Sequence, residues 1–593
     1  MVGDRSVARW RHIWLAALAA LLIAQTLFRI LFFSLAFYRS VIGASLHLLL
    51  WAAWLALVLL VAASLPVGRR GRPVAALAVA LMLGAAHALA TAFDLGQSVL
   101  FYFTGIGAPM SLILTDPKFG LALLNSMDIS NAEALAAVSL LLALHVLLYA
   151  PIAPQLVEFA RRLAAHPIAI PGARGPSVKG RWLLVSLLAL TLVARIGLPE
   201  RMWYLEYFHR GGIGGFVVAP PALTLGAPGP DAPLGPPQRL AGARPVILIL
   251  VDAMRRDRMG VYDRALDTTP FLDGLARDGT LHAFPNAYST CTFSFCGIMS
   301  ILASRSWDNF TRRPPTILDA LSHYGFRNYV ILSGTHSTFG KIYELYGRGV
   351  VSRTEHPNDD AVVRRVAETE FSDPQHSFLY IHLISTHGGR PPAARFYRPA
   401  RAGQSAFSNT YDARLRAADD VIRQLFDQFR AKGLLRNALI VITADHGERL
   451  GEHGYYYHGG PPDREATAIP VMIYDASRPA WPERQLTSHI DIAPTIMDAL
   501  GGAADPGWIG QALQDSQRIP AIPLGTEEMT GVVAGINGAI YRYRCLRAIG
   551  VETVARVERD RDVTVPADPA LLSRLRALHR QVAGPIPPGP CRR

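Results

Sequence analysis

Charge is scarce in this chain and cysteine scarcer still. Asp, Glu, Lys and Arg make up 18% of the 593 residues against 50% hydrophobic residues, and a mean hydropathy of +0.22 is high for a wholly soluble protein. The net charge of +13 comes from scattered arginines with no nucleic-acid motif beside them, so nucleic acid is excluded as a partner. The basic excess is read instead as loop bias and closeness to anionic lipid. The first apolar stretch lacks a small-residue cleavage site and is too long for a removed signal peptide. The four cysteines, Cys291, Cys296, Cys545 and Cys591, all follow residue 290.

The length suffices for two or three domains, and the apolar excess is concentrated at the front. Stretches at 13–37, 45–66, 73–96, 133–154 and 181–198 each approach the ~20 residues that a bilayer-crossing helix needs. Arg5, Arg9 and Arg11 precede the first; Arg69, Arg70 and Arg72 fall between the second and third; Arg161, Arg162, Lys179 and Arg181 fall between the fourth and fifth. With five spans these groups share one side, which the positive-inside rule makes cytoplasmic, so everything beyond about residue 200 is expected outside. Arg29, His87, Asp94 and His145 are polar within those stretches. The expected organisation is a transmembrane domain over 1–199, a juxtamembrane segment and Pro/Gly-rich linker over 200–245, and an external α/β domain over 246–593.

Two apolar runs in the last part end in carboxylates. Val246-Ile247-Leu248-Ile249-Leu250-Val251 runs into Asp252, and Leu439-Ile440-Val441-Ile442 leads to Thr443-Ala444-Asp445-His446. Continuous apolar runs suit strands buried on both faces of a parallel sheet, which deliver side chains to the carboxyl edge where such folds keep their sites. Phe378–Ile384 is a third such run, followed by His387. Residues 411–432 have Leu415, Val421, Ile422, Leu425, Phe426 and Phe429 at helical spacing. Alternating strands and helices predict a mainly parallel sheet covered by helices on both faces. Asp445 and His446, with His453 and His458 close behind, have a metal-ligand composition. The alternative is a polar loop with structural histidines. Between these runs, Ser289 to Ser300 clusters hydroxyls and thiols at a helix start, where the helix dipole favours an ionised nucleophile. Plain helix capping by Ser or Thr competes with that reading.

Together, Asp252, the hydroxyl cluster, His387, Asp445, His446 and His458 resemble the alkaline phosphatase superfamily. They are most similar to its sulfatase-like membrane transferases of phosphoethanolamine and, in lipoteichoic-acid-synthase-type enzymes, phosphoglycerol. The run Asp-His-Gly-Glu-x-Leu-Gly-Glu-x-Gly-x-Tyr-x-His-Gly from Asp445 to Gly459 resembles the phosphoethanolamine transferases in particular. Ser488-His489-Ile490-Asp491-Ile492-Ala493-Pro494-Thr495 resembles a late, mostly structural segment of the superfamily. Five spans before an external catalytic domain fit the same plan. The resemblance implies a metal held by Asp252, Asp445, His446 and the nucleophile, with His387 and His458 holding the transferred group or a second metal. One or two ions are implied, zinc best matching carboxylate and imidazole ligands and manganese the alternative. It also implies two displacements through a covalent phospho-enzyme, with His387 or His458 protonating the leaving groups. The partners implied are a phospholipid donor and an envelope glycolipid or glycan acceptor, at a bacterial inner membrane with the catalytic part in the periplasm.

Matching the flanks Asn286-Ala287-Tyr288 and Ile301-Leu302-Ala303-Ser304-Arg305 to the family pattern sets the nucleophile at Ser294. Counting without gaps from Asp252 and Pro270 gives Cys291, with Thr292 its neighbour. Ser294 is preferred, with the other two kept as alternatives. Sulfatases use a Cys within Cys-x-Pro-Ser-Arg; here Thr-Phe-Ser-Phe follows Cys291, Ala253 replaces a second carboxylate, and His458 stands where a sulfate-binding lysine is usual. Disulfides persist outside the cytoplasm. Their connectivity is not fixed by sequence; Cys291–Cys296 and Cys545–Cys591 is the expected pairing, and the first would remove Cys291 as a nucleophile. Two rival readings remain, an external phosphodiesterase or sulfatase-type hydrolase and a non-catalytic envelope regulator on the same fold.

Overall fold

The computed structural model describes residues 57–59, 71–104, 131–165, 167–168, 178–179, 240, 242–310, 314–334, 336, 346, 350–387, 392–452, 456–459, 461–475, 481–526, 529–547, 550–558, 561–566, 568–583 and 591. The chain divides into two compact units, Met1–Phe101 with Gly107–Leu223, and Tyr102–Ile106 with Thr224–Arg593.

In the first unit, helices α1 (Gly71–Thr104), α2 (Asn131–Tyr149) and α3 (Ala153–Ala165) are described. The stretch 73–96 lies within α1. The stretch 133–154 runs through α2 and into α3, but Pro151 cannot continue a helix and the chain breaks at residues 150–152. Among the described residues no single helix is long and apolar enough to cross a membrane; Leu135–Tyr149 and Ala153–Arg162, bent by 56°, pass together by length and composition. The stretches 13–37 and 181–198, and most of 45–66 and of the linker, lie outside the described residues, as does Arg29. Val79, Leu83, Tyr149, Ile152 and Val157 form a small buried cluster. His87 and His145 meet edge to face with ring centroids 4.5 Å apart, His87 beside the Tyr149 hydroxyl and His145 beside that of Thr91.

The second unit is built on a seven-stranded sheet. Its elements in chain order are β1 (Val246–Val251), α4 (Pro270–Arg277), β2 (Leu281–Ala283), α5 (Ser294–Ala303), α6 (Ile317–His323), β3 (Arg327–Ser333), β4 (Val350–His356), α7 (Asp359–Glu368), β5 (Ser377–Leu383), α8 (Ala406–Ala431), β6 (Leu439–Thr443) and β7 (Val471–Asp475). The strand order is β2-β7-β6-β1-β5-β3-β4. From β6 to β4 all neighbours are parallel, whereas β7 runs antiparallel to both β6 and β2. The sheet is therefore mixed, with a parallel centre and one antiparallel edge. Every residue of β1, β5 and β6 is buried, as expected of strands covered on both faces. Helix α8 starts where Ser405 accepts the Ser408 N–H, and it buries Leu415, Val421, Ile422, Leu425, Phe426 and Phe429 against the core.

The sequence reading did not anticipate a second sheet. After α9 (Ile492–Ala499), strands β8 (Ala521–Gly525), β9 (Met529–Ile536), β10 (Ala539–Leu546), β11 (Glu552–Val557) and β12 (Asp562–Thr564) form an antiparallel meander. Helix α10 (Pro569–Val582) packs on it through Leu575 and Val582. A disulfide joins Cys545 on β10 to Cys591.

Candidate active site

The carboxyl ends of β1, β5 and β6 converge. Asp252 directly follows β1 and donates its backbone N–H to the Leu383 carbonyl, 2.8 Å away at the end of β5. Asp445 lies two residues beyond β6. Its Oδ1 accepts two backbone N–H groups, from His446 at 2.9 Å and from Ala253 at 3.0 Å. Ala253 presents its N–H from a left-handed conformation (φ 58°), a departure that typically costs an L-residue about 1–2 kcal/mol. Asp445 Oδ2 and Asp252 Oδ1 are left buried with no hydrogen-bond partner among the described residues.

His446 completes the cluster. Its Nδ1 lies 2.8 Å from the Gly447 carbonyl oxygen, which can only accept, so Nδ1 carries a proton and, in the neutral ring, Nε2 presents a lone pair. That Nε2 lies 3.4 Å from Asp445 Oδ2, 3.7 Å from Asp252 Oδ1 and 3.1 Å from Ser294 Oγ. Three acceptor atoms thus face one another out of water, with one hydroxyl as the local donor. Such a set is unfavourable alone and is the donor set a divalent cation takes. Burial, and after it the charge of Asp445, push the Asp252 carboxyl well above the usual carboxylate range, a further sign that positive charge is wanted here. The residues fit a metal.

Ser294 is the first residue of α5. The residue before it, Phe293, makes no side-chain cap, so capping does not account for the hydroxyl cluster at this end. Cys291 is bonded to Cys296 and has no thiol to offer. The loop is held from behind, since the Thr290 N–H donates to His489 Nε2 at 3.0 Å and the Thr292 carbonyl accepts the Gly459 N–H at 2.6 Å. Thr292 itself is fully buried. Helix α5 comes so close to the metal-site loop that a Cβ on Gly297 would overlap the Asp445 carbonyl. In the late segment, Asp491 accepts from the Ser488 and Gln511 N–H groups and pairs with Arg518, which bears out its structural reading.

His387 and His458 come to the same place, with ring centroids 5.0 Å apart; those of His458 and His446 are 4.3 Å apart. The turn carrying His387 is fixed by Asp359, the first residue of α7, which accepts the Ile384 and Ser385 N–H groups at 3.0 and 2.9 Å. Burial, then the nearness of His446 and His387, hold the His458 imidazole well below the usual histidine range. Its Nδ1 lies 3.3 Å from Glu448 Oε1, and burial raises that carboxyl to about 7. His453 lies outside the described residues.

Two groups at this centre had no role assigned from the sequence. Glu448 sits inside the Asp-His-Gly-Glu run. His382 sits inside β5, its ligand atom within 4.8 Å of those of Asp252 and Asp445. A histidine interrupting a fully buried strand, five residues before His387, is the signal that could have marked it.

Parts of the chain are similar to known proteins. A family model described as Sulfatase matches residues 244–503. Phosphoethanolamine transferase EptA of Helicobacter pylori is 25% identical over 418 residues, covering 65% of this chain and 75% of that protein. Phosphatidylethanolamine transferase Mcr-2 of Escherichia coli is 31% identical over 104 residues, only 16% of this chain and 19% of that protein. Among solved structures, the integral membrane lipooligosaccharide phosphoethanolamine transferase A of Neisseria meningitidis aligns at a TM-score of 0.46 and 14% identity, over 76% of this chain and 95% of that one. The carboxyl-edge cluster of carboxylates, imidazole and hydroxyl therefore lies inside a sulfatase-like domain, the one that the family model matches over residues 244–503.

Proposed function

We propose that this chain is a metal-dependent membrane transferase that moves phosphoethanolamine from a phospholipid to an envelope lipid or glycan through a covalent intermediate on Ser294. The observation that carries the reading is the buried set of unpartnered acceptors, Asp252 Oδ1, Asp445 Oδ2 and His446 Nε2, facing the Ser294 hydroxyl. Phosphoethanolamine is preferred over phosphoglycerol because the relatives named above carry it in their names. A bound divalent ion, zinc or manganese, would lower the hydroxyl's pKa and neutralise charge on the phosphoryl group.

With its proton already lost, as a bound cation would favour, the Ser294 alkoxide attacks the donor phosphorus as the bond from phosphorus to the diacylglycerol oxygen breaks. That oxygen leaves with a proton from His387, whose ring adjoins that of His458; burial and the neighbouring imidazoles keep His458 uncharged, which suits it to accept a proton and not to give one. The ethanolamine phosphate stays esterified to Ser294 until an acceptor hydroxyl attacks it, returns a proton to the same imidazole and frees the serine. Arrival at the N-terminus of α5 favours the anionic group throughout. Tethering beside the bilayer would give donor, acceptor and enzyme one shared surface and a high effective concentration.

The test is intact-mass spectrometry of the zinc-loaded, detergent-solubilised chain after incubation with phosphatidylethanolamine or phosphatidylglycerol, with peptide mapping. A phosphoethanolamine adduct on Ser294, absent in Ser294→Ala, is the expected result. An adduct on Thr292 would move the nucleophile. No adduct with either lipid, or turnover that needs no acceptor, would favour the hydrolase or regulator instead.

A further inference from the structure

His382 sits within a strand, whereas Asp252, Asp445 and His446 lie beyond the ends of theirs. In β5 it stands level with Leu250 of β1 and Leu332 of β3, and it is 1% exposed. Proximity to Asp252 and Asp445 makes it look like a third metal ligand. Its hydrogen bonds argue otherwise. His382 Nδ1 is 3.1 Å from His336 Nε2, and that same Nε2 is 3.1 Å from the Ser333 carbonyl oxygen. A carbonyl oxygen only accepts, so His336 Nε2 carries a hydrogen, and His382 Nδ1 must face it with a lone pair. The proton of His382 is then on Nε2. The Tyr346 hydroxyl, 2.6 Å from His336 Nδ1, locks the His336 ring from its other side. Both His336 and Tyr346 are buried, so water does not offer another arrangement.

His382 Nε2 has no partner among the described residues. A nitrogen that carries a proton has no lone pair for a metal. We infer that His336 and Tyr346 are positioning residues that lock His382 as an N–H donor toward the carboxylates of Asp252 and Asp445, so that it orients the metal's ligands without being one. The unpartnered donor and the two unpartnered carboxylate oxygens answer each other, since a carboxylate drawn onto an ion still has lone pairs to satisfy.

The inference rests on the metal-binding part of the proposed function, and its test needs no lipid. The full chain in detergent, stripped by chelator, is titrated with zinc against a fluorescent competing chelator, and bound zinc is counted by elemental analysis. His382→Phe is expected to keep the wild-type number of bound ions with affinity weakened about 10- to 100-fold. His382→Gln, whose amide N–H reaches the place of Nε2–H, should restore most of that loss. His336→Phe should weaken zinc in the same direction while leaving the ion count unchanged, and Tyr346→Phe less so. Loss of a bound ion in His382→Gln would make His382 a ligand and overturn the inference. So would His382→Phe binding zinc as tightly as the wild type, or a wild type that takes up no zinc. A thermal melt of each metal-free variant separates these outcomes from misfolding. Failure to form the Ser294 adduct while these zinc results hold would count against the transfer reaction alone.

Discussion

At the scale of single residues, several buried charges in this domain are balanced by pairing, unlike those at the centre. Asp257 illustrates this. It lies between Arg255, whose Nη2 is 2.7 Å away, and Arg464, whose Nη1 is 2.8 Å away. Burial opposes the charge, yet the two guanidiniums hold the carboxyl well below the usual range. A depressed carboxyl stabilises the fold fully above its unfolded pKa of about 4, and that contribution is lost as pH falls toward the folded value. Asp257→Asn should therefore destabilise by about 3–5 kcal/mol at pH 7, as when one partner of a buried pair is removed. The gap in melting temperature from the wild type should narrow as pH falls below about 4; a pH-independent gap would refute the pairing account. Asp252 and Asp445 differ because, among the described residues, no guanidinium or ammonium pairs with them and the nearest basic group is the His446 imidazole. They were legible in the sequence because each follows an apolar run with no other reason to end in a carboxylate. His382 was not, because its role depends on which ring nitrogen holds a proton, which His336 and Ser333 decide from elsewhere in the chain.

At the scale of elements, the strands that deliver ligands were readable and the late meander was not. Val246–Val251 and Leu439–Thr443 are apolar on both faces, so no partner information is needed to recognise them as central strands. In β10, by contrast, Arg542 is fully buried and pairs with Asp562 at 2.8 Å, so the inward face does not advertise itself as apolar. The antiparallel β7 was also invisible, because an apolar run carries no direction. Helix α5 is the element on which the proposed reactivity rests, and the Cys291–Cys296 bond fastens the loop that enters it. Closing so short a loop constrains the unlinked chain by roughly 2 kcal/mol. If the opened loop must re-order before attack, Cys296→Ser should slow adduct formation about thirtyfold, a tenfold loss corresponding to about 1.4 kcal/mol. Quenched time courses by mass spectrometry measure this; an unchanged rate would mean that packing alone holds the loop.

At the scale of the whole molecule, the two units differ in what they show to their surroundings. Among the described residues, the large apolar side chains left exposed are those of the first unit, such as Val74, Leu135, Leu140 and Leu147, with Val351 and Val551 the exceptions in the second. An apolar exterior of that kind suits lipid better than water. With the basic groups at Arg69–Arg72 and at Arg161 and Arg162 taken as cytoplasmic, the sulfatase-like domain is expected outside. Protease added to right-side-out spheroplasts should then degrade the domain beyond residue 245, and protease added to inverted vesicles should spare it; the reverse pattern would overturn the orientation.

The bond between Cys291 and Cys296 acquires a further meaning in that setting. Cytoplasmic thiol buffers keep cysteines reduced, so the loop would stay unfastened on a chain still being made. Under the proposed function, Ser294 would then be armed by its own delivery, slow on the side where the chain is made and at full rate on the other.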